Sequence, residues 1–240
     1  MASAAAKTPL VLLPGLLCDQ ALWAPQLAAL GDVAEARVAD LTRDESLPAM
    51  AARVLAEAPA RFALAGLSMG GYLAQEIMRR SPERVLRLAL LDTSARADTP
   101  ERLAQRRGLI ELAHKGEFKG ITPRLLPQWL HPDHVADETL TRTVMEMTHR
   151  VGRDAYLRQM KAIMARPDGR GDLPRIRVPT LVLCGRDDQA TPLALHEEIA
   201  GLIPGATLVA IERCGHLSTL EQPELVNAAL RRWLAQPAAA

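Results

Sequence analysis

Residues 62–71 read FALAGLSMGG, an apolar run that leads into a glycine-flanked serine. The run predicts a strand and a helical pattern over 69–80 follows at once, so Ser68 falls on a sharp strand-to-helix turn. Such a turn forces the serine into strained backbone angles and crowds the residues two positions away on either side, which here are Gly66 and Gly70. The pattern therefore predicts an exposed nucleophile, although the same letters taken alone also fit a glycine-rich loop.

The rest of the chain alternates short apolar runs with amphipathic stretches. Runs this short and this apolar are typical of parallel strands buried on both faces. Strands are predicted at 10–13, 33–38, 61–66, 85–91, 180–184 and 207–211, and helices at 47–58, 69–80, 192–203 and 223–234. The alternation predicts an α/β fold with a mainly parallel, doubly wound sheet of about six strands and right-handed crossovers.

Residues 95–172 interrupt this alternation because they contain no strand pattern. Helical patterns cover 100–115, 121–130, 135–150 and 153–165, and a polar, glycine-rich connector follows at 166–172. An ordinary crossover uses a single helix, so the pattern predicts an all-helical lid inserted into a core formed by residues 1–94 and 173–240. The alternative is that these helices only pad one face of the sheet.

The bulk composition excludes several classes of protein. A chain of 240 residues with a net charge of +1 gives no reason to expect nucleic acid or an acidic membrane surface as a partner. Its three cysteines are too few for a disulfide framework, and no stretch reaches the roughly 20 apolar residues that span a bilayer. The N-terminus lacks the pattern of a signal peptide. We therefore expect a cytoplasmic protein with a small-molecule partner, while nothing in the sequence indicates its oligomeric state.

Candidate partners for Ser68 follow two later strands. Asp188 follows the fifth predicted strand, and His216 follows the sixth. Because parallel strands end at one edge of a sheet, the three side chains can converge there. Their order along the chain, serine then acid then histidine, suits a triad in which the base takes the serine's proton and the acid orients the base. Asp187 and Asp92 also follow strands and remain alternative acids.

Four segments of the chain occur in a characteristic order: LLPG at 12–15, GLSMGG at 66–71, GRDDQATP at 185–192, and GH at 215–216 with EQPE at 221–224. With these segments the chain resembles the α/β-hydrolase family, in particular its small, lid-bearing esterases and enol-lactonases. The resemblance covers nearly the whole chain and is weakest in the lid. It implies that Ser68 is the nucleophile, His216 the base and Asp188 the orienting acid.

The resemblance also assigns the oxyanion hole to two backbone N–H groups, those of Leu16 and Met69. Pro14 stands where the family often has a histidine, so Leu17 is an alternative donor to Leu16. Family members usually begin with an antiparallel pair of strands, whereas only residues 1–8 precede the first strand here. We therefore expect a core restricted to its parallel part.

Leu17, Trp129 and Met145 are the residues predicted to line the substrate pocket. No metal and no organic cofactor are implied by the resemblance. His131 and His134 are spaced like a pair of metal ligands but lack a third ligand, so we expect them to be surface residues of the lid. The cysteines are expected to be small buried hydrophobic residues.

The function implied by the resemblance is hydrolysis of carboxylic esters through an acyl-enzyme on Ser68. A serine at this position excludes the members of the family that carry a carboxylate there. Enol lactones, thioesters and C–C bonds remain open as substrates, since all are cleaved by the same triad. A ligand receptor without catalytic activity is the alternative from a different class, and the complete triad favours an enzyme.

Overall fold

The computed structural model describes residues 6–237 and has a sheet of six parallel strands at its centre. The strands are β1 (Thr8–Leu13), β2 (Ala34–Val38), β3 (Phe62–Leu67), β4 (Val85–Leu91), β5 (Thr180–Gly185) and β6 (Thr207–Ile211). They lie in the order β2-β1-β3-β4-β5-β6, and every neighbouring pair is parallel. The predicted α/β fold with a parallel sheet of about six strands is confirmed, and all six strands end at one edge.

Eight α-helices lie within residues 6–237. They are α1 (Ala24–Ala29), α2 (Leu47–Glu57), α3 (Met69–Arg80), α4 (Pro100–His114), α5 (Glu138–Met164), α6 (Leu193–Leu202), α7 (Ser218–Glu221) and α8 (Pro223–Leu234). The bounds of α3 and α8 match the predicted helices residue for residue. None of the helices in the described part of the chain is both long and apolar enough to cross a membrane.

The sheet is covered by apolar side chains on both faces, which explains why its strands are continuous hydrophobic runs. In β1, Leu10 and Leu12 point into a cluster with α8, whereas Val11 and Leu13 point into a cluster with α2, α3 and α6. All four side chains are almost completely buried. This period of two fixes the register of the strand and thereby the place where its C-terminal loop begins.

Residues 95–172 contain α4 and α5, and no strand, as predicted. The two helices predicted at 135–150 and 153–165 lie end to end in α5, where Gly152 breaks the helical geometry with a φ of 74°. The helix predicted at 121–130 is wrong, since only Leu126–Gln128 forms a short 3-10 turn there. Pro123 and Pro127 explain the error, because proline has no N–H to donate and clashes with the preceding turn.

Helix α5 packs against both faces of the core. Val144 and Met147, before Gly152, belong to the apolar cluster that includes α8. Ala162 and Ile163, after it, belong to the cluster that includes α2 and α3. The helix therefore passes from one face of the sheet to the other, with Gly152 between its two halves.

Candidate active site

Ser68 occupies the turn between β3 and α3 in a strained backbone conformation. Its φ of 55° and ψ of −114° lie in a region that residues other than glycine rarely enter. The Ser68 N–H donates to the Leu91 carbonyl at 3.0 Å, and the Ser68 carbonyl accepts the Thr93 hydroxyl at 2.8 Å. Strand β4 and the residues after it thus hold the turn from both sides.

The glycines around Ser68 are required by the close approach of three backbone segments. A Cβ atom on Gly66 would lie 2.2 Å from the Gly70 carbonyl oxygen, and one on Gly70 would lie 2.1 Å from the Leu13 carbonyl oxygen. Both separations are far below van der Waals contact. The crowding predicted from the G-x-S-x-G pattern is therefore present at both glycines.

His216 lies between Ser68 and Asp188, with one ring nitrogen directed at each. Its Nε2 is 2.9 Å from Ser68 Oγ, and its Nδ1 is 2.7 Å from Asp188 Oδ2. His216 and Asp188 are buried, whereas Ser68 is half-buried. The fold thus brings together the three side chains that the sequence singles out.

The surroundings of His216 favour a proton on its ring. Burial alone would lower the pKa of His216, but the charge and hydrogen bond of Asp188 raise it above the ordinary value of 6.5. Burial of Asp188 is likewise outweighed, and the charge of His216 with hydrogen bonds from His216 and Thr191 lowers the pKa of Asp188. The N–H groups of Ala190 and Thr191 also bind the Asp188 carboxylate, at 2.8 and 2.9 Å. An ionised carboxylate held in this way can orient an imidazole and stabilise its protonated form.

The two alternative acids lie elsewhere. The Asp187 side chain is about half exposed and lies 3.6 Å from His131 Nε2. Asp92 is fully buried, and its carboxylate accepts the Gly185 N–H at 3.0 Å and the Ser218 hydroxyl. Burial and the nearby charge of Asp188 raise the pKa of Asp92 well above its ordinary value. Asp92 therefore ties β4 to the end of β5 and the start of α7, and Asp188 alone of the three binds the His216 ring within residues 6–237.

The loop after β1 lies beside Ser68. A Cβ atom on Gly15 would be 3.5 Å from Ser68 Cβ. The Leu17 N–H is already engaged, since it donates to Gln159 Oε1 at 3.0 Å. Within residues 6–237, no acceptor is bound to the N–H groups of Leu16 and Met69. Of the two alternatives in this loop, Leu16 is the one with an N–H free to bind a ligand.

The loop that carries His216 is fastened by one buried carboxylate, that of Glu221. Its oxygens accept the N–H groups of Gly215 and Leu217, both at 3.1 Å. The same carboxylate accepts the His131 N–H at 2.7 Å. Glu221 therefore joins the two residues that flank His216 to the helical segment 95–172.

The three predicted pocket residues lie in different surroundings. The Trp129 carbonyl accepts the His216 N–H at 2.8 Å, and the two rings are 5.2 Å apart between centroids. Leu17 is buried in a small apolar cluster with residues of α4 and α5. Met145 is half-buried on α5 and belongs to none of the three apolar clusters in the described part of the chain.

His131 and His134 are half-buried rather than fully exposed. Both contact Glu221 beside the His216 loop: His134 Nδ1 lies 3.0 Å from Glu221 Oε2, and the backbone N–H of His131 donates to the same oxygen. Across residues 6–237, no three His, Cys, Asp or Glu side chains are grouped so that they could hold a metal ion. The three cysteines are buried, as predicted.

Sequence reasoning missed Gln159 and gave Glu221 no role of its own. Gln159 shares one face of α5 with Tyr156 and Ile163, at a spacing of three and four residues. A polar residue on an otherwise apolar helix face is a signal that the sequence does contain, because a buried amide must find partners for both its oxygen and its nitrogen.

Comparison with known proteins identifies the family to which this geometry belongs. Residues 8–229 match the model of the alpha/beta hydrolase family. The chain is 30% identical over 227 residues to a pimeloyl-acyl-carrier-protein methyl ester esterase of Neisseria meningitidis, which covers 92% of this chain and 85% of the other. The enol-lactonase of Burkholderia xenovorans LB400 superposes with a TM-score of 0.87 at 26% identity, covering 96% of this chain and 92% of the other. A thermophilic esterase of Thermogutta terrifontis gives a TM-score of 0.84 at 29% identity, covering 95% and 90%. The chain therefore belongs to the alpha/beta hydrolase family.

Proposed function

We propose that this alpha/beta hydrolase cleaves carboxylic esters through an acyl-enzyme on Ser68. The observation that carries the proposal is the pair of contacts of His216, 2.9 Å to Ser68 Oγ and 2.7 Å to Asp188 Oδ2. A serine hydroxyl is a weak nucleophile unless a base takes its proton, and these distances suit that transfer. The similarity to two esterases supports the same reaction.

In the proposed reaction, Ser68 Oγ attacks the carbonyl carbon of the ester while His216 Nε2 takes its proton. Asp188 holds the imidazole in place and stabilises its positive charge. The carbonyl oxygen becomes negative and is bound by the N–H groups of Leu16 and Met69, each of which lowers the barrier by about 3 kcal/mol if well aligned. His216 then protonates the leaving alcohol, and a water molecule that it deprotonates releases the acid from Ser68.

The helical segment 95–172 acts in this proposal as a lid that forms one wall of the substrate pocket. Trp129 contacts His216 directly, and α4 and α5 supply the apolar cluster around Leu17. A wall of this composition suits the apolar part of a small ester or lactone. The core of the enzyme is then residues 1–94 and 173–240.

Hydrolysis of an enol lactone is the second candidate, favoured by the TM-score of 0.87 with an enol-lactonase. The triad treats both substrates alike, because each presents a carbonyl carbon with an oxygen leaving group. The two functions are separated by comparing kcat/KM for an enol lactone with kcat/KM for a p-nitrophenyl ester of similar size. The substrate with the larger value identifies the class.

Ser68→Ala is expected to lower kcat for p-nitrophenyl acetate and butyrate by at least about 10³-fold, because the nucleophile is lost. Release of nitrophenol measures the rate. Ser81→Ala, at the opposite end of α3, is the matched control and should retain the activity of the unmodified protein. Equal activity of Ser68→Ala and the unmodified protein would contradict the serine mechanism.

Asp188→Asn is expected to lower kcat on the order of 10³-fold or more, because a neutral amide no longer stabilises the charged imidazole. Asp187→Asn should stay near the unmodified value, since its side chain does not touch the triad. Asp92→Asn should fall between the two, through weaker fixation of β5 and α7. A greater loss in Asp92→Asn than in Asp188→Asn would show that Asp92 is the catalytic acid.

The pH profile of kcat/KM should lose activity on the acidic side, because Ser68 needs a neutral His216. The pKa of His216 is raised above 6.5. As the pH falls, the midpoint of the loss of kcat/KM should therefore lie above pH 6.5. Asp188→Asn removes the charge that raises this pKa and should move the acidic limb to lower pH. A limb that stays in place in Asp188→Asn would show that another group controls it.

A further inference from the structure

Gln159 is a completely buried polar residue in the second half of α5. Its amide oxygen accepts the Leu17 N–H at 3.0 Å, and its amide nitrogen donates to the Leu41 carbonyl at 3.1 Å. One side chain of the helical segment thus bridges the loop after β1 and the loop after β2. Because one partner needs an acceptor and the other a donor, an amide satisfies both whereas a carboxylate or an apolar side chain does not.

The loop that Gln159 binds is itself strained. Leu17 has a φ of 61°, a left-handed conformation that costs a leucine energy and persists only when its surroundings hold it. The Gly15–Leu16 peptide is held as well, since the Gly15 carbonyl accepts the Cys18 N–H at 3.2 Å. In a trans peptide the N–H points opposite to the carbonyl, so the Leu16 N–H is directed away from Cys18.

We propose that Gln159 is a positioning residue for the oxyanion hole, although it does not touch the substrate. By binding the Leu17 N–H it holds the strained loop in the one arrangement that leaves the Leu16 N–H free beside Ser68. Without Gln159 the Leu17 N–H loses its partner, and the strained turn is held, within residues 6–237, only by the bonds of Cys18 to the Gly15 and Leu16 carbonyls. The Leu16 N–H is then less firmly directed. The inference rests on the proposed ester hydrolysis and adds that the lid helix takes part in it through the loop after β1.

The test replaces Gln159 with methionine, which is similar in length but makes neither hydrogen bond. The substrate is a p-nitrophenyl ester, and two inhibitors of one shape are compared. A trifluoromethyl ketone is attacked by Ser68 and gives a tetrahedral adduct with a negative oxygen, whereas the matching methyl ketone binds without forming it. The ratio of the two inhibition constants reports on the oxyanion hole, and a general loss of packing does not change it.

For Gln159→Met we expect kcat to fall by about 10-fold or more while KM changes little, since donors of an oxyanion hole act mainly in the transition state. Affinity for the trifluoromethyl ketone should fall by a similar factor, and affinity for the methyl ketone should not change. Thr148→Val is the control, because it is buried on the same helix and its hydroxyl binds only the Val144 carbonyl among the described residues. It should leave all four quantities unchanged. An unchanged kcat in Gln159→Met, or an equal loss of affinity for both ketones, would overturn the proposal.

Gln159→Glu tests the same claim if the methionine variant fails to fold. When protonated, the introduced carboxyl group both donates and accepts a hydrogen bond, so it can replace the amide. When ionised, it has no donor for the Leu41 carbonyl and places a negative charge beside the loop. Burial disfavours the ionised carboxylate, and lowering the pH increases the protonated fraction further. The kcat/KM of this variant relative to the unmodified protein, taken at each pH to cancel the titration of His216, should therefore rise as the pH falls. A ratio that does not change with pH would overturn the proposal.

The two levels of inference fail in different ways. If Ser68→Ala keeps its activity, the proposed ester hydrolysis is wrong, whatever Gln159 does. If Ser68→Ala is inactive and Gln159→Met matches the unmodified protein, the serine mechanism stands and only the role of Gln159 is wrong.

Discussion

The strained turn at Ser68 is the constraint on which the arrangement of the site depends. It exists because β3 lies between β1 and β4, so that Leu91 binds the Ser68 N–H on one side. On the other side, α3 begins so close to Leu13 that only glycine fits at position 70. The same parallel sheet brings the loops that carry Asp188 and His216 to this edge. A local steric requirement and the direction of the strands together determine where the three side chains meet.

The helical segment 95–172 is hydrogen-bonded to this edge of the sheet on both sides of Ser68. On one side Gln159 binds the loop after β1, and on the other the Trp129 carbonyl and the His131 N–H bind the loop of His216 and its anchor Glu221. These are hydrogen bonds to backbone groups, which hold loop geometry more specifically than apolar contact does. In the proposed mechanism the segment therefore shapes the catalytic groups as well as the pocket.

The sheet, its order of elements and the convergence of Ser68, Asp188 and His216 could be predicted because they depend on local patterns. Strands buried on both faces are continuous apolar runs, and the serine, acid and histidine each follow such a run. The helix predicted at 121–130 does not form, because Pro123 and Pro127 interrupt a segment whose apolar spacing alone fits a helix. The two partners of Gln159 and the His131 partner of Glu221 could not be predicted, since they are backbone groups far away in the chain. Backbone groups are the same at every residue and leave no mark in the sequence.

The central claim is that Ser68 is the nucleophile, and covalent labelling tests it most directly. Diethyl p-nitrophenyl phosphate loses nitrophenolate when a serine oxygen attacks its phosphorus, and the phosphoryl group then stays on that oxygen. Peptide mapping by mass spectrometry should find one diethylphosphoryl group per chain, on Ser68, with activity lost in proportion to labelling. Complete labelling with full activity, or a label on another residue, would contradict the account.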